Sequence, residues 1–376
     1  MVNKKILNYF RKKFIKIKWK FISTENNNKL RIYSRIEYPF KNIKVVNDDI
    51  RIKKSFEACN KFVQIEYISK LPFKTLIEPE YGWIIKDFNH IFIDSLSYGT
   101  TNIAPSFKNL IKTKFFEREN IKKVELVISL RDTGEDSYFH FYNDILNKIV
   151  LLNEFNVDKN IPLVISKKLY QKHFFKDIVK RCSLKDRKWL IQDNFYLESK
   201  EVIYCKTLPH DKDHYYKLLN LLNIPYPNLN TNKRIFLTRN PLRGRYIENI
   251  DEIIEIVKNY NFEIVDTENM SIDEQINLFS NCRSVIGLHG AGLTNIIFRR
   301  GAPLSLLEIF PPEHIPPHYY WLALIFNYKY DGIVGSYKNL KQDNKNFISQ
   351  KKPYYLDPDI FVSKLEKLEK EGFFNY

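Results

Sequence analysis

The segment Ser284-Val-Ile-Gly-Leu-His-Gly-Ala-Gly-Leu-Thr-Asn295 places three of the chain's 11 glycines, Gly287, Gly290 and Gly292, within six residues. Ser284 to Leu288 reads as a buried strand and Leu293 to Phe298 as a short helix, so the glycines fall where a strand gives way to a helix. Clustering of so scarce a residue at that point signals a backbone requirement. A turn of this kind sets free N–H groups and the positive end of a helix beside the carboxyl end of a strand, a geometry suited to phosphate. The spacing is not the dinucleotide fingerprint G-x-G-x-x-G, nor a Walker A loop, since no Lys-Ser or Lys-Thr follows. A dehydrogenase is thereby disfavoured.

Outward from that turn, strands and helices alternate. Upstream, Arg234 to Thr238 reads as a strand, Ile250 to Tyr260 as a helix and Phe262 to Asp266 as a strand. Ser271-Ile-Asp-Glu274 then has the spacing of a capping box that opens a helix to about Asn281. Downstream come a strand from Leu304 to Phe310, a helix from Tyr319 to Phe326, and a last helix within 351–376, at about 359–371, expected to pack back across the domain junction. This order predicts parallel βαβ units and a doubly wound α/β domain over 233–350. The run Ile224-Pro-Tyr-Pro-Asn-Leu-Asn-Thr-Asn232 breaks the periodicity and reads as a linker over 224–232. Before it, Val124 to Leu130, Pro162 to Ser166 and Glu201 to Cys205 read as strands. Residues 139–155, 168–181 and Asp211 to Leu222 read as helices, giving a second Rossmann-like domain over 24–223. Residues 30–120 offer only short strand-like runs such as Phe62 to Tyr67 and Trp83 to Ile85.

A chain of 376 residues exceeds the usual size of one hydrophobic core, and 44% apolar with 15% aromatic residues exclude a disordered main state. Sixty Lys and Arg against 44 Asp and Glu leave a formal charge of +16, which points to anionic partners. Lys4, Lys5, Arg11, Lys12, Lys13, Lys16, Lys18 and Lys20 concentrate that charge in the first 20 residues, which contain no acid. Ile6, Phe10, Phe14, Ile17 and Phe21 recur at helical spacing, so residues 1–23 read as a basic amphipathic helix. Such a helix either packs on its own domain or holds an anionic membrane surface through residues 1–22. Nucleic-acid binding by this segment is the rival reading, but no RNA or DNA module accompanies it, and no nucleic-acid partner is expected. Cys59, Cys182, Cys205 and Cys282 form no Cys-x-x-Cys pair, which fits a reducing compartment. No apolar stretch is long enough to span a bilayer. The expected location is cytoplasmic, peripheral at the inner face of a membrane.

Several pieces of sequence combine in a recognisable order: Leu237-Thr-Arg239; Arg245 with Ile247-Glu-Asn249; Met270-Ser-Ile-Asp-Glu-Gln275 before Phe279-Ser280; the glycine turn; and Leu307-Glu308. From Ile235 to Phe310 the chain resembles glycosyltransferase family 61, inverting enzymes that include bacterial capsule and lipopolysaccharide transferases and eukaryotic xylosyl- and N-acetylglucosaminyltransferases. Tyr138-Phe-His-Phe-Tyr-Asn-Asp144 is similar to that family's upstream His-containing helix. The first 120 residues match no pattern. The resemblance implies a GT-B fold, two Rossmann-like domains facing across a cleft, with the nucleotide sugar held mainly by the C-terminal one. It implies transfer from a nucleotide sugar, expected to be a UDP-sugar, to a hydroxyl of a surface glycan or lipid-linked oligosaccharide in capsule or lipopolysaccharide synthesis. The alternative is a non-catalytic protein of the same fold that binds anionic glycans or nucleotides.

On that footing the residues take roles. As the sugar–phosphate bond breaks, negative charge gathers on the departing nucleoside diphosphate, and fixed cations and N–H groups lower the barrier. Arg239 and Arg245 are the expected cations, with Arg243 close enough to exchange roles with Arg245. His289 is expected to hydrogen-bond the diphosphate or the sugar, within the donor-binding turn Gly290-Ala291-Gly292-Leu293-Thr294. Asn295 is expected to cap the loop or help hold the nucleotide, Glu308 to accept both ribose hydroxyls, and Asn249 to brace the following helix. For the base that deprotonates the acceptor, His140 oriented by Asp144 is the first candidate. Asp132, Glu135 and Asp136 in the preceding loop are the others. Asp211-Lys-Asp213 and Asp357-Pro-Asp359 have the spacing of a metal-binding acid pair, but one opens a helix and the other lies near the C-terminus. No metal and no other cofactor is expected.

Overall fold

The computed structural model describes residues 19–24, 30–37, 45–59, 64–87, 89–97, 104–207, 211–337 and 352–375. Most of the amphipathic helix expected over 1–23 lies outside these residues. Its end does not: Lys20–Ile22 is a strand paired in parallel with His90–Phe92, and Trp19 and Phe21 pack against Trp83, Ile85 and Ile91. Aromatic side chains beside an open sheet edge are better covered as an added strand than along a solvated helix.

Among the described residues the strands are β1 (Lys20–Ile22), β2 (Arg31–Glu37), β3 (Gln64–Leu71), β4 (Thr75–Ile77), β5 (Ile84–Lys86), β6 (His90–Phe92), β7 (Ile121–Ser129), β8 (Leu163–Ser166), β9 (Trp189–Gln192), β10 (Tyr196–Lys206), β11 (Lys233–Leu237), β12 (Phe262–Val265), β13 (Cys282–Leu288), β14 (Ser305–Phe310) and β15 (Lys329–Val334). The chain forms two compact units. One holds the described residues of Met1–Ile36, Ile65–Lys176 and Ser183–Leu208, and the other those of Glu37–Gln64, Asp177–Cys182 and Pro209–Tyr376.

The second unit is α/β throughout. Its sheet runs β12-β11-β13-β14-β15 with every pairing parallel, so in chain order the strands lie 2-1-3-4-5, one of the two common doubly wound arrangements. Strands covered on both faces need near-continuous apolar runs, and β14 is buried at all six positions. Helices Ile250–Asn259 and Pro358–Lys370 bury Ile253, Val257, Phe361, Leu365 and Leu368 against Phe236, Ile286, Leu307 and Ile309, so the last helix completes this unit's own core. The capping box forms as expected: Ser271 Oγ accepts from Glu274 N, and a Glu274 carboxylate oxygen accepts from Ser271 N. The unit begins upstream of the linker-like run 224–232, because helix Lys212–Leu221 packs Tyr215 and Tyr216 on Phe326. It also takes in helix Ile50–Cys59, whose Ile52 and Phe56 meet Phe310, Tyr320 and Val334.

The first unit differs from the expected doubly wound domain. Strands β9, β8, β7 and β10 are mutually parallel in the Rossmann order 3-2-1-4, but β10 also carries β3 and β4 antiparallel to it, and β5, β6 and β1 extend the sheet beyond β4. Antiparallel neighbours need no crossover helix, so this half of the sheet leaves no βαβ rhythm in the sequence. Among the described residues no helix is long and apolar enough to cross a membrane.

Candidate active site

In an open parallel sheet a ligand crevice forms at the carboxyl ends of the strands where the strand order reverses. In the second unit that point lies between β11 and β13, which are direct neighbours through Leu237 and Gly287. The next residues along each strand bring Arg239 and His289 together: Arg239 Nε donates to Gly244 O at 2.7 Å and Nη1 to His289 O at 3.4 Å. Gly290 has an extended φ of 169°, so its backbone does not demand glycine. The need is spatial, because a Cβ there would collide with Arg239 Nη1. At Gly287 a Cβ would lie 2.6 Å from the Leu293 side chain, which seats the next helix on the strand. That helix is 3₁₀ over Ala291–Arg299, longer than the short helix expected over Leu293 to Phe298 and wound more tightly than an α-helix. Leu293 N donates to Gly290 O at 3.0 Å, so the amides of Ala291 and Gly292 precede its first bond. Leu293, Thr294 and Asn295 are buried, and Asn295 Nδ2 donates to Gln275 Oε1 at 2.8 Å. Of the two roles expected for Asn295, bracing the loop is the one its geometry gives. The side chains of Leu293 and Thr294 likewise serve packing.

Arg245 sits in the left-handed region at φ 54°, directly after Gly244 at φ 68°. A non-glycine residue there stores strain of about 1 kcal/mol or more, and such strain gathers at functional sites. Its guanidinium makes no hydrogen bond to any described residue, and burial, against the nearby Tyr319 and Tyr354 hydroxyls, holds its pKa below the usual arginine value. The Arg243 side chain lies outside the described residues. Burial first, then the charges of Arg245 and Arg239, keep His289 well below the ordinary histidine range. His314 is pushed down to about 4 by burial, with His289, Arg245 and Arg239 adding to it. The His289 ring stacks on Phe310 with centroids 5.4 Å apart, and stands 5.1 Å from His314 and 5.4 Å from Tyr319. The site therefore combines permanent cations with neutral imidazoles. His314 and Tyr319 were not singled out by sequence; His314 lies in the loop after β14, and Tyr319 in the first turn of the helix His318–Phe326 that follows.

Glu308 departs from its expected role. It is fully buried, with Oε1 2.5 Å from His289 Nδ1 and Oε2 accepting from Tyr330 OH at 2.6 Å. Burial raises its pKa well above the carboxylate range. A carboxyl group enclosed in this way does not reach ribose hydroxyls, so that assignment is withdrawn. Tyr330 was missed because β15 was not anticipated. Asn249 braces as expected, its Nδ2 donating to Glu252 Oε2 and to Leu356 O, both at 2.9 Å.

In the first unit, His140 Nδ1 and Asp144 Oδ2 are 2.7 Å apart, and Asn143 Nδ2 donates to Asp144 Oδ1 at 2.8 Å. The widened turn that carries Asp144 is a π-helix over Phe141–Leu146, a feature found disproportionately at functional sites. Asp144 is buried while the His140 side chain is 29% exposed. Burial opposes protonation of His140, but the Asp144 hydrogen bond and the charges of Asp144, Asp132 and Asp136 outweigh it and raise its pKa. Two alternative bases are locked into structure. Buried Asp132 receives Lys148 Nζ at 2.7 Å and Ser97 Oγ at 2.5 Å, and buried Glu135 receives Arg131 Nε at 2.6 Å. Asp136 stays at the surface, 3.4 Å from Lys172 Nζ. Both Asp-x-Asp pairs cap helices, Asp211 accepting from His214 N and Asp357 from Asp359 N. Among the described residues no group of three or more His, Cys, Asp or Glu is placed to hold a metal ion.

Residues 138–303, running from the His140 helix through the glycine turn, match the family model of glycosyltransferase 61. The match supports membership of glycosyltransferase family 61. Curated proteins give no match. A glycosyltransferase would bind a sugar donor and an acceptor. The matched span takes in His140, Asp144, Arg239, Arg245 and His289 but stops short of Glu308, His314 and Tyr330.

Proposed function

We propose that this glycosyltransferase is an inverting, metal-independent enzyme of GT-B type that moves a sugar from a nucleotide sugar, a UDP-sugar, to a hydroxyl of a surface glycan or lipid-linked oligosaccharide of the capsule or lipopolysaccharide kind. The observation that carries this reading is the convergence of Arg239 and Arg245 on the His289 turn at the carboxyl ends of β11 and β13. Two guanidiniums supply the countercharge that a divalent cation supplies to a diphosphate in other transferases, and Arg239 is anchored so that little reorganisation is needed. In the reaction the acceptor oxygen forms its bond to the anomeric carbon as the bond from that carbon to the diphosphate oxygen breaks. The electron pair leaves with the nucleoside diphosphate. The acceptor proton passes to His140, whose Nδ1 is held by Asp144 and which therefore receives it at Nε2. Displacement in one step inverts the anomeric centre.

A thermal-shift screen of nucleotides and nucleotide sugars tests the donor assignment, because a ligand at 100 times its Kd stabilises the native state by about 2.7 kcal/mol. UDP and one UDP-sugar should raise the melting temperature without added divalent metal. If no nucleotide does so, the reading is wrong; binding without single-turnover release of UDP would make the protein a silent binder. The basic segment before Trp19 supports attachment to the inner face of an anionic membrane. Deleting residues 1–18 should abolish association with anionic liposomes and leave donor binding intact. Retained association would remove the membrane from the proposal.

A further inference from the structure

Strand β14 is buried at all six positions, and Glu308 is its one ionisable residue. A parallel sheet covered on both faces gains nothing from an acid at that place, and burying one costs several kcal/mol unless it is neutral or well partnered. Two groups partner it: His289 Nδ1 at Oε1 and the Tyr330 hydroxyl at Oε2. Tyr330 has a single O–H and donates it to Oε2, so Oε1 is left to share a proton with the imidazole. Among the described residues no lysine or arginine bonds this carboxyl group.

The proton count then fixes the outer face of His289. Whether the pair is written as a carboxylic acid donating to a neutral imidazole or as a carboxylate beside an imidazolium, it holds the same two protons. Both forms leave an N–H on Nε2. The only form with a bare Nε2 is an ionised, buried carboxylate without a cationic bonding partner, which burial disfavours. His289 is 4% exposed, and its Nε2 has no hydrogen-bond partner among the described residues. The other charged or titratable groups around this ring are Arg239, Arg245, His314, His318 and Tyr319. The two cations make an anion the favoured occupant.

We propose that Glu308 and Tyr330 form a buried proton relay that fixes His289 as an Nε2–H donor to the diphosphate oxygen on which charge grows as the sugar departs. The proposal rests on the donor reading above and deepens it. Glu308 and Tyr330 are positioning residues and touch no substrate; His289 does. Because the donor is a neutral imidazole, it keeps its proton through the neutral pH range instead of titrating there.

The full-length protein with ¹⁵N-labelled histidine gives the test, with His289 assigned by the signal lost in His289→Gln. In the free protein, Nε2 of His289 should be protonated, and its resonance should move on adding inorganic pyrophosphate or UDP. Glu308→Gln can donate its amide to Nδ1 and accept from Tyr330, so it should keep the Nε2–H form and bind pyrophosphate within about threefold of the parent. Glu308→Leu should lose that form, bind pyrophosphate about tenfold more weakly and lower kcat more than KM. Should Glu308→Leu fail to fold, Tyr330→Phe serves in its place and should mix the two neutral tautomers. A bare Nε2 in the free parent protein overturns the relay, as does unchanged tautomer and affinity in the folded Glu308→Leu or Tyr330→Phe variant. Failure of both UDP and pyrophosphate to bind the parent overturns the donor reading and the ligand assigned here. The two failures are distinct, because the tautomer is read without any ligand.

Discussion

The carboxyl ends of the two sheets present opposite electrostatics on related backbones. In the second unit the turns after β11 and β13 gather Arg239 and Arg245 around imidazoles that burial keeps neutral. In the first unit the loop and helix after β7 gather Asp132, Asp136 and Asp144 around a histidine whose affinity for protons is raised. A cationic pocket suits a departing anion, and a histidine held by carboxylates suits the removal of a proton. Strand order brings residues to these places, but the neighbours at the end of each strand decide which half of a transfer they can perform.

The comparison breaks most readily at His140. His140→Ala should lower kcat by about 10²–10⁴-fold while leaving UDP binding unchanged, checked by steady-state kinetics and calorimetry. Equal turnover would place the base elsewhere, with Asp136 next in line. On the cationic side, Arg239→Ala should cost about 2–4 kcal/mol of transition-state stabilisation with the circular-dichroism spectrum preserved. Gly290→Ala asks whether the arginine must cross the turn where it does: the added methyl displaces the guanidinium, and kcat/KM should fall about tenfold or more with little loss of stability. Asp144→Asn sharpens the other side. A base works only when unprotonated, so a raised His140 pKa moves the acid limb of the pH–rate profile upward, and removing the Asp144 charge should move that limb to lower pH. The smallest effect is expected away from both regions. Ser271→Ala removes the helix cap and should cost about 1 kcal/mol of stability in a denaturant titration, with kcat unaltered.

Legibility in the sequence followed the length of the connections. In the second unit each parallel strand needs a crossover, so β11 to β14 and their helices announced themselves by alternation, as did Ser271 and Glu274 by cap chemistry. The described part of the first 120 residues includes short strands such as β4, β5 and β6, three residues each, where hydrophobic periodicity has no room to develop. In the site, Arg239 and His289 were legible because each follows a recognisable strand. The true place of Glu308 was not, because residue type and strand position are the same for a carboxyl group at the rim and for one turned inward; Tyr330, on the neighbouring strand β15, decides between them. Gly290 was noticed for the wrong reason: a backbone requirement was inferred, and the structure instead shows room made for a distant side chain.

Helix Ile50–Cys59 precedes most of the first unit in the chain yet helps to close the core of the second. Dissecting the protein at residue 209 would therefore leave the downstream fragment with Phe310, Tyr320 and Val334 stripped of Ile52 and Phe56, a fresh greasy patch prone to self-association. Anyone wishing to express the second unit alone would have to graft residues 45–59 onto it, and a ribosome making the native chain must hold that early helix in waiting until its sheet emerges.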